Sequence, residues 1–136
     1  MTDIHNPETR SYNMSRVRSK NTKPEMTVRR FLHGQGFRYR LHVATLPGKP
    51  DIVLPKYKTV IFIHGCFWHG HKGCKYFSIP KTRTEWWLQK IKGNQKNDRL
   101  STIQLQVLGW KVITVWECEL KKGKREETLQ NLLARI

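Results

Sequence analysis

Residues 50–63 read PDIVLPKYKTVIFI, and the fold is decided there. Asp51-Ile-Val-Leu54 and Thr59-Val-Ile-Phe-Ile63 are short β-branched runs. The four residues between them carry turn chemistry, so the stretch predicts two strands paired as a hairpin. The second run lacks any polar alternation and is expected to be buried on both faces. Upstream, Phe37, Tyr39, Leu41 and Val43 alternate with Arg38, Arg40 and His42, the period of a strand with one basic face. The turn Pro47-Gly-Lys-Pro50 closes it. Earlier still, Thr22-Lys-Pro-Glu25 has capping-box spacing, with Val28, Phe31 and Leu32 at helical intervals until Gly34 and Gly36 stop the pattern.

Downstream, residues 64–85 have no periodicity. Thr84 is placed to cap a helix running to about Leu108, with Gly109 as its stop and Leu100, Ile103 and Val107 as the buried stripe of its second half. Trp87, Lys90 or Ile91, Asn94 and Asp98 mark another face. Residues 110–116 form an apolar fourth strand, and Leu129, Leu132, Leu133 and Ile136 mark a last amphipathic helix. Strands interspersed with helices predict the α/β class, a mixed central sheet flanked by helices. We expect one domain over residues 21–136. Residues 1–20, polar and basic, are expected to be a flexible arm that orders on its partner.

Twenty-six Lys and Arg against ten Asp and Glu leave a net charge of +16 on 136 residues. That bias favours a polyanionic partner, nucleic acid first. A membrane surface fits poorly, because no apolar run reaches the roughly 18 residues of a spanning helix and the basic residues are scattered. Residues 1–10 contain no apolar segment of the secretory kind, so a cytoplasmic protein is expected. Three cysteines, an odd number, point to metal ligation or inert thiols rather than to disulfides.

Cys66, His71 and Cys74 fall within nine residues, and Cys118 lies just past the fourth strand, where a sheet can bring it alongside. Three thiolates and an imidazole are the donor set of a closed structural zinc site, able to pin a loop that has no core of its own. His69 is a rival to His71 as the fourth ligand. The hydrolytic candidates lie close by. Asp51 opens a strand after a turn, where a carboxylate can hold a hard cation such as magnesium. Either His64 or His69 can take a proton from water, and Asp98 can orient a histidine. Glu25 is divided between capping the first helix and a role near the metal. Phe67-Trp68 and Trp86-Trp87 put four large rings beside this polar region, where rings can stack on bases or wedge between them. Lys90 and Asn94, one turn apart behind Trp87, are placed to read base edges.

These residues resemble the very short patch repair (Vsr) DNA mismatch endonucleases. The resemblance spans nearly the whole chain: Met14, Leu46-Pro-Gly-Lys-Pro-Asp51, Val60-Ile-Phe, His64-Gly-Cys-Phe-Trp-His69, Thr82-Arg-Thr-Glu-Trp-Trp87, Leu108-Gly-Trp and Val115-Trp-Glu-Cys118. It implies a restriction-endonuclease-like core and a monomer that acts on double-stranded DNA holding a T:G mismatch, with mismatch-repair proteins as candidate partners. Nicking 5′ of the mispaired thymine is the implied reaction. By resemblance, Asp51 holds magnesium, His69 is the general base supported by Asp98, and His64 and Glu25 assist. Zinc is implied at Cys66, His71, Cys74 and Cys118. Phe67, Trp68 and Trp87 are implied to wedge from the major groove and Met14 to enter from the minor groove, while Lys90 and Asn94 face the mismatch. Two departures stand out. Ile63 occupies a position where the family carries Thr, which leaves only its backbone carbonyl for the metal, and the loop between His69 and Cys74 is one residue longer. A restriction-type endonuclease and a non-catalytic zinc-braced DNA-binding module are the alternatives.

Overall fold

A computed structural model describes residues 21–136; the arm, with Met14, lies outside the described residues. Helix α1 (Lys23–Gly34) leads into strand β1 (Arg40–Leu41), followed by β2 (Ile52–Leu54), a 3-10 turn (Pro55–Tyr57) and β3 (Thr59–His64). A long irregular loop precedes helix α2 (Thr84–Val107). Strand β4 (Lys111–Trp116), a second 3-10 turn (Glu117–Leu120) and helix α3 (Arg125–Arg135) complete the chain. The sheet runs β1-β2-β3-β4, with antiparallel pairing up to β3 and parallel pairing of β3 with β4.

The hairpin forms as the sequence predicts, with Ile52 opposite Ile61 and Leu54 opposite Thr59. Period-two alternation then sorts the side chains. Ile52, Leu54, Ile61, Ile113 and Val115 point to one face and pack against Val28 and Leu32 of α1 and Leu129 and Leu132 of α3. Val53, Val60 and Phe62 point to the other and meet Leu105 of α2. Of β3, only Ile63 is incompletely buried. The result is a mixed sheet between helices, as expected. No helix among the described residues is long and apolar enough to cross a membrane.

Three expectations need correction. The first strand shrinks to two residues, because His42 adopts φ +48 and breaks the alternation just after Leu41. Thr84 does not cap α2: Arg83 occupies that position, and the Thr84 hydroxyl donates to the Pro80 and Lys81 carbonyls. The third concerns which way α2 faces. Leu100, Ile103 and Val107 are 51%, 56% and 80% exposed, while Leu105 is fully buried.

Polar ties fix that rotation. Asn94 Nδ2 donates to the Trp68 carbonyl (2.8 Å), Gln95 Nε2 to the Gly70 carbonyl (2.9 Å), and Asp98 binds His69 (2.7 Å). At about 100° per residue, Leu105 falls within about 20° of Asp98, whereas Leu100, Ile103 and Val107 lie about 140–200° away. Close backbone approach reinforces the contact. A Cβ on Gly48 (φ +73) would stand 2.7 Å from Ser101, and one on Gly70 (φ +60) 2.4 Å from Gln95 and 2.6 Å from Ile91. A side chain at Gly48 would have to displace Ser101, and one at Gly70 Ile91 as well as Gln95, so either disturbs the contact with α2.

The packing makes a direct prediction. Ile61→Ala should cost about 2–5 kcal/mol of stability through the cavity left between sheet and helices. Val107→Ser, on the outer face of α2, should stay within about 0.5 kcal/mol. Urea unfolding of the two variants measures both.

Candidate active site

Parallel pairing sets His64 opposite Trp116 at the ends of β3 and β4. Everything that follows those two strands therefore emerges side by side. Cys66 and Cys118 each lie two residues beyond a strand end, and with His71 and Cys74 their candidate ligand atoms lie within 4.8 Å of one another. Cys118 Sγ approaches His71 Nδ1 at 3.4 Å, and the His71 ring stacks on Trp116 at 4.0 Å. Burial pushes the Cys66 thiol up to about 12. A buried sulfur that resists ionisation by itself, facing two more cysteines and an imidazole, suits a soft divalent cation that stabilises thiolates. The donor set fits zinc. His69 is not part of it.

His69 belongs to a second group. Its Nδ1 lies 2.7 Å from Asp98 Oδ2, and its ring stacks on His64 with centroids 3.8 Å apart and planes 3° from parallel. His64 Nε2 is 4.0 Å from the other Asp98 oxygen. Burial, then the neighbouring His69, pulls His64 down to about 4 against the opposing pull of Asp98. It is therefore neutral at pH 7. Its Nδ1 is buried and has no hydrogen-bond partner, a cost unless a ligand or water meets it.

Asp51 faces the same space. One cleft is lined by Asp51, Glu25, Ile63, His64, Trp68 and His69 among others, and an adjoining one brings Asp51, His64 and His69 together with Asp98. The Asp51 carboxylate accepts a 2.7 Å hydrogen bond from the Ile63 amide. Its pKa is nevertheless raised to about 6, chiefly by burial and further by the nearby Glu25, with the Ile63 bond opposing. A carboxylate made uncomfortable in this way is suited to a cation. The Ile63 side chain, by contrast, packs against the main core, so this residue serves the site through its backbone.

Glu25 resolves against the capping box. The Thr22 hydroxyl accepts from the Glu25 amide at 3.4 Å, but the carboxylate turns to His42 Nε2 (2.9 Å) and Arg29 (3.2 Å). Glu25, His42 and Asp51 thus form a third group of candidate ligands within 4.8 Å. Sequence reasoning missed His42 as anything but a strand residue, and missed Gln95. For His42 no local signal exists, since its partner is 17 residues away and its backbone is left-handed.

The rings gather at the rim of the cleft. Phe67 contacts Trp68 and Trp87 at 5.2 Å each, Trp68 meets Trp87 at 5.7 Å, and Trp86 packs on Trp87 while remaining 46% exposed. Lys90 lies half-buried on α2 one turn beyond. Asn94 spends its amide N–H on the Trp68 carbonyl, so it steadies the rim.

Chemistry of this kind on a protein with an excess of sixteen positive charges belongs to nucleases acting on DNA. Comparison with known proteins narrows the class. A family model described as DNA mismatch endonuclease Vsr matches residues 2–75. The chain is 53% identical over 137 residues to the type II nicking enzyme V.NmeAIP of Neisseria meningitidis, covering 100% of this chain and 97% of that protein. It is 50% identical over 134 residues to the type II nicking enzyme V.XorIIP of Xanthomonas oryzae, covering 98% of each. It is 46% identical over 136 residues to the DNA mismatch endonuclease Vsr of Escherichia coli, covering 100% of this chain and 86% of that protein. The chain belongs to the Vsr family of DNA mismatch endonucleases.

The raised pKa of Asp51 predicts a trade between stability and function. Protonated, the side chain costs nothing; ionised, it opposes folding. The penalty is absent below about pH 4, grows as pH rises, and is complete above about 6. In metal-free buffer Asp51→Asn should therefore stabilise the fold at pH 8 by up to about 3 kcal/mol. The gain should fade between pH 6 and 4 in thermal unfolding, and nicking should be lost. A variant no more stable than the parent at pH 8 contradicts the burial argument.

Proposed function

We propose that the chain nicks duplex DNA at a T:G mismatch, cutting 5′ of the mispaired thymine left by deamination of 5-methylcytosine. The observation that carries this reading is the convergence of Asp51, His64 and His69 on one cleft, with Asp98 holding His69 from behind. An ionised carboxylate only accepts hydrogen bonds, so His69 Nδ1 carries the proton and Nε2 keeps its lone pair. Nε2 then takes the proton of the water that attacks phosphorus. His64, neutral and lining the cleft beside His69, assists there. Glu25, gripped by His42 and Arg29, assists from the opposite wall. Asp51 and the Ile63 carbonyl would hold magnesium, which when bound would supply Lewis-acid polarisation of the scissile phosphate. Cys66, His71, Cys74 and Cys118 would hold zinc and so brace the loop that carries His69.

Recognition falls to the rim. Phe67, Trp68 and Trp87 wedge beside the mismatch from the major groove, where a weakened stack lowers the few kcal/mol that unstacking costs. Met14 enters from the minor groove, and Lys90 and Asn94 face the mispair. In this reading residues 21–136 are a restriction-endonuclease-like domain acting as a monomer, and residues 1–20 are its DNA-binding arm.

Trp68→Ala should lose preference for T:G over C:G duplexes by at least tenfold while general affinity falls less; equal preference in the parent and the variant removes the wedge. Elemental analysis of the purified chain should return about one zinc. Cys118→Ser should release it and lower the melting temperature, and full metal occupancy in that variant would exclude Cys118 as a ligand. A panel of mismatched and matched duplexes in magnesium buffer tests the substrate, with uniform cleavage of matched sites pointing to a restriction-type enzyme.

A further inference from the structure

A groove of about 530 Å³, the size of an ordinary ligand site, opens beside Cys74 and Cys118 and lies outside the catalytic cleft. Its charge comes from Lys72, Lys75, Lys121, Lys122 and Lys124, all exposed; no carboxylate lines it, and the acidic groups on its wall are the Cys74 and Cys118 thiols, the first of which Lys124 pulls down. Among the described residues none of the five is in an ion pair. Glu119, close in sequence, is not among the lining residues and accepts from the Trp116 amide at 2.8 Å. Two of the ammonium groups are held in place. Lys75 Nζ and Lys121 Nζ sit 5.2 Å and 5.1 Å from the centroid of the one Tyr76 ring, in cation–π contact.

Five like charges gathered in a concavity outnumber the two cysteines that line it, and a further anion relieves the repulsion that remains. The location says which anion. His71 lines the groove and stacks on Trp116 at 4.0 Å; Trp116 in turn lies 5.2 Å from His64 and 6.5 Å from His69. The groove and the candidate catalytic pair therefore share a wall two rings thick. Along one DNA strand phosphates recur about every 3.4 Å of helix axis. A strand cut at His69 thus carries further phosphates within reach of the groove.

We propose that this groove binds the phosphate backbone of the duplex on one flank of the nick, extending the DNA contact over the thiolate-bearing loop. The inference rests on the endonuclease reading above and deepens it. Lysine suits the task, because a compact, mobile point charge meets phosphates without reading sequence. The contact is expected on matched and mismatched duplexes alike.

The test is the salt dependence of binding by the full-length, metal-loaded chain, measured by fluorescence anisotropy between 50 and 200 mM KCl on T:G and matched duplexes. Each phosphate contact contributes about 0.9 to the slope of log K against log salt. Lys72→Gln, Lys122→Gln and Lys124→Gln combined should flatten the slope by about 2–3 on both duplexes, and each single variant by about 0.9. Lys56→Gln, Lys58→Gln and Lys111→Gln combined serve as control. They make the same charge change at the opposite ends of β3 and β4 and should flatten it by less than 1. Equal slopes for the two triple variants, or a slope unchanged from the parent, would overturn the proposal and leave the groove to an acidic protein surface. Absence of T:G nicking by the parent would sink the endonuclease reading instead, and the slopes would still report on the groove.

Discussion

The parallel pairing of β3 with β4 is the constraint on which the rest depends. Antiparallel neighbours would send the two chain exits to opposite ends of the strands; parallel ones deliver both to the same end. With His64 in register with Trp116, the loop after β3 and the turn after β4 start side by side. Cys66 meets Cys118 for that reason alone. Parallel pairing also demands a crossover, and α2 fills it, crossing the face that holds Val53, Val60 and Phe62. Asp98 reaches His69 from that crossover. One ladder thus creates the loop cluster, its backing helix and the cleft between them at the carboxyl ends of the strands, where open α/β sheets bind ligands.

Electrostatically the cleft is costly in the state described. A half-buried Asp51 beside the buried carboxylate of Glu25, and a buried His64 held neutral with an unengaged nitrogen, each oppose folding by amounts that matter against a total stability of about 5–15 kcal/mol. The core does not compensate locally. It lies mainly on one face of the sheet, where α1 and α3 close over Ile52, Leu54, Ile61, Ile113 and Val115. The cleft borders both faces, taking Glu25 from α1 and Asp98 from α2, and a cation beside Asp51 would lift the penalty there. The positive charge of the surface serves the same end, drawing the polyanion toward an acidic pocket that would otherwise repel it.

Much of this was legible in the sequence. Residues 51–63 spell a hairpin because β-branched runs on either side of a proline turn have few alternatives, and the cysteines and histidines of residues 66–74 advertise a ligand cluster by density alone. The choice between His69 and His71 was not legible, since it depends on which way each ring leaves the loop. The rotation of α2 was misread for a related reason. Leu100, Ile103 and Val107 form a plausible apolar stripe, yet hydrogen bonds from Asn94, Gln95 and Asp98 to the loop turn the opposite face inward. Periodicity weighs apolar residues and gives no weight to polar side chains with partners far along the chain. His42 escaped notice on the same grounds, because its bond to Glu25 spans 17 residues and its left-handed backbone hides it inside a strand pattern.

The two side-chain clusters of the loop are better understood as one mechanical unit than as neighbours. Cys66 and His71 bracket His69, so fixing their donor atoms fixes the backbone between them; the His69 and His71 amides already bond to the Gly65 and Cys66 carbonyls. On the other side Asp98 and Asn94 hold His69 and Trp68 from α2. Between these grips the chain has little freedom left. The ring contacts from His71, stacked on Trp116, to His64, met edge-on by Trp116, add a lateral tie. Catalytic groups need placement to a fraction of an ångström, and loops rarely supply it unless something rigid holds both ends. Here the cysteine–histidine cluster grips one side and the crossover helix the other, which is how an irregular segment comes to hold His69 and Trp68 in place.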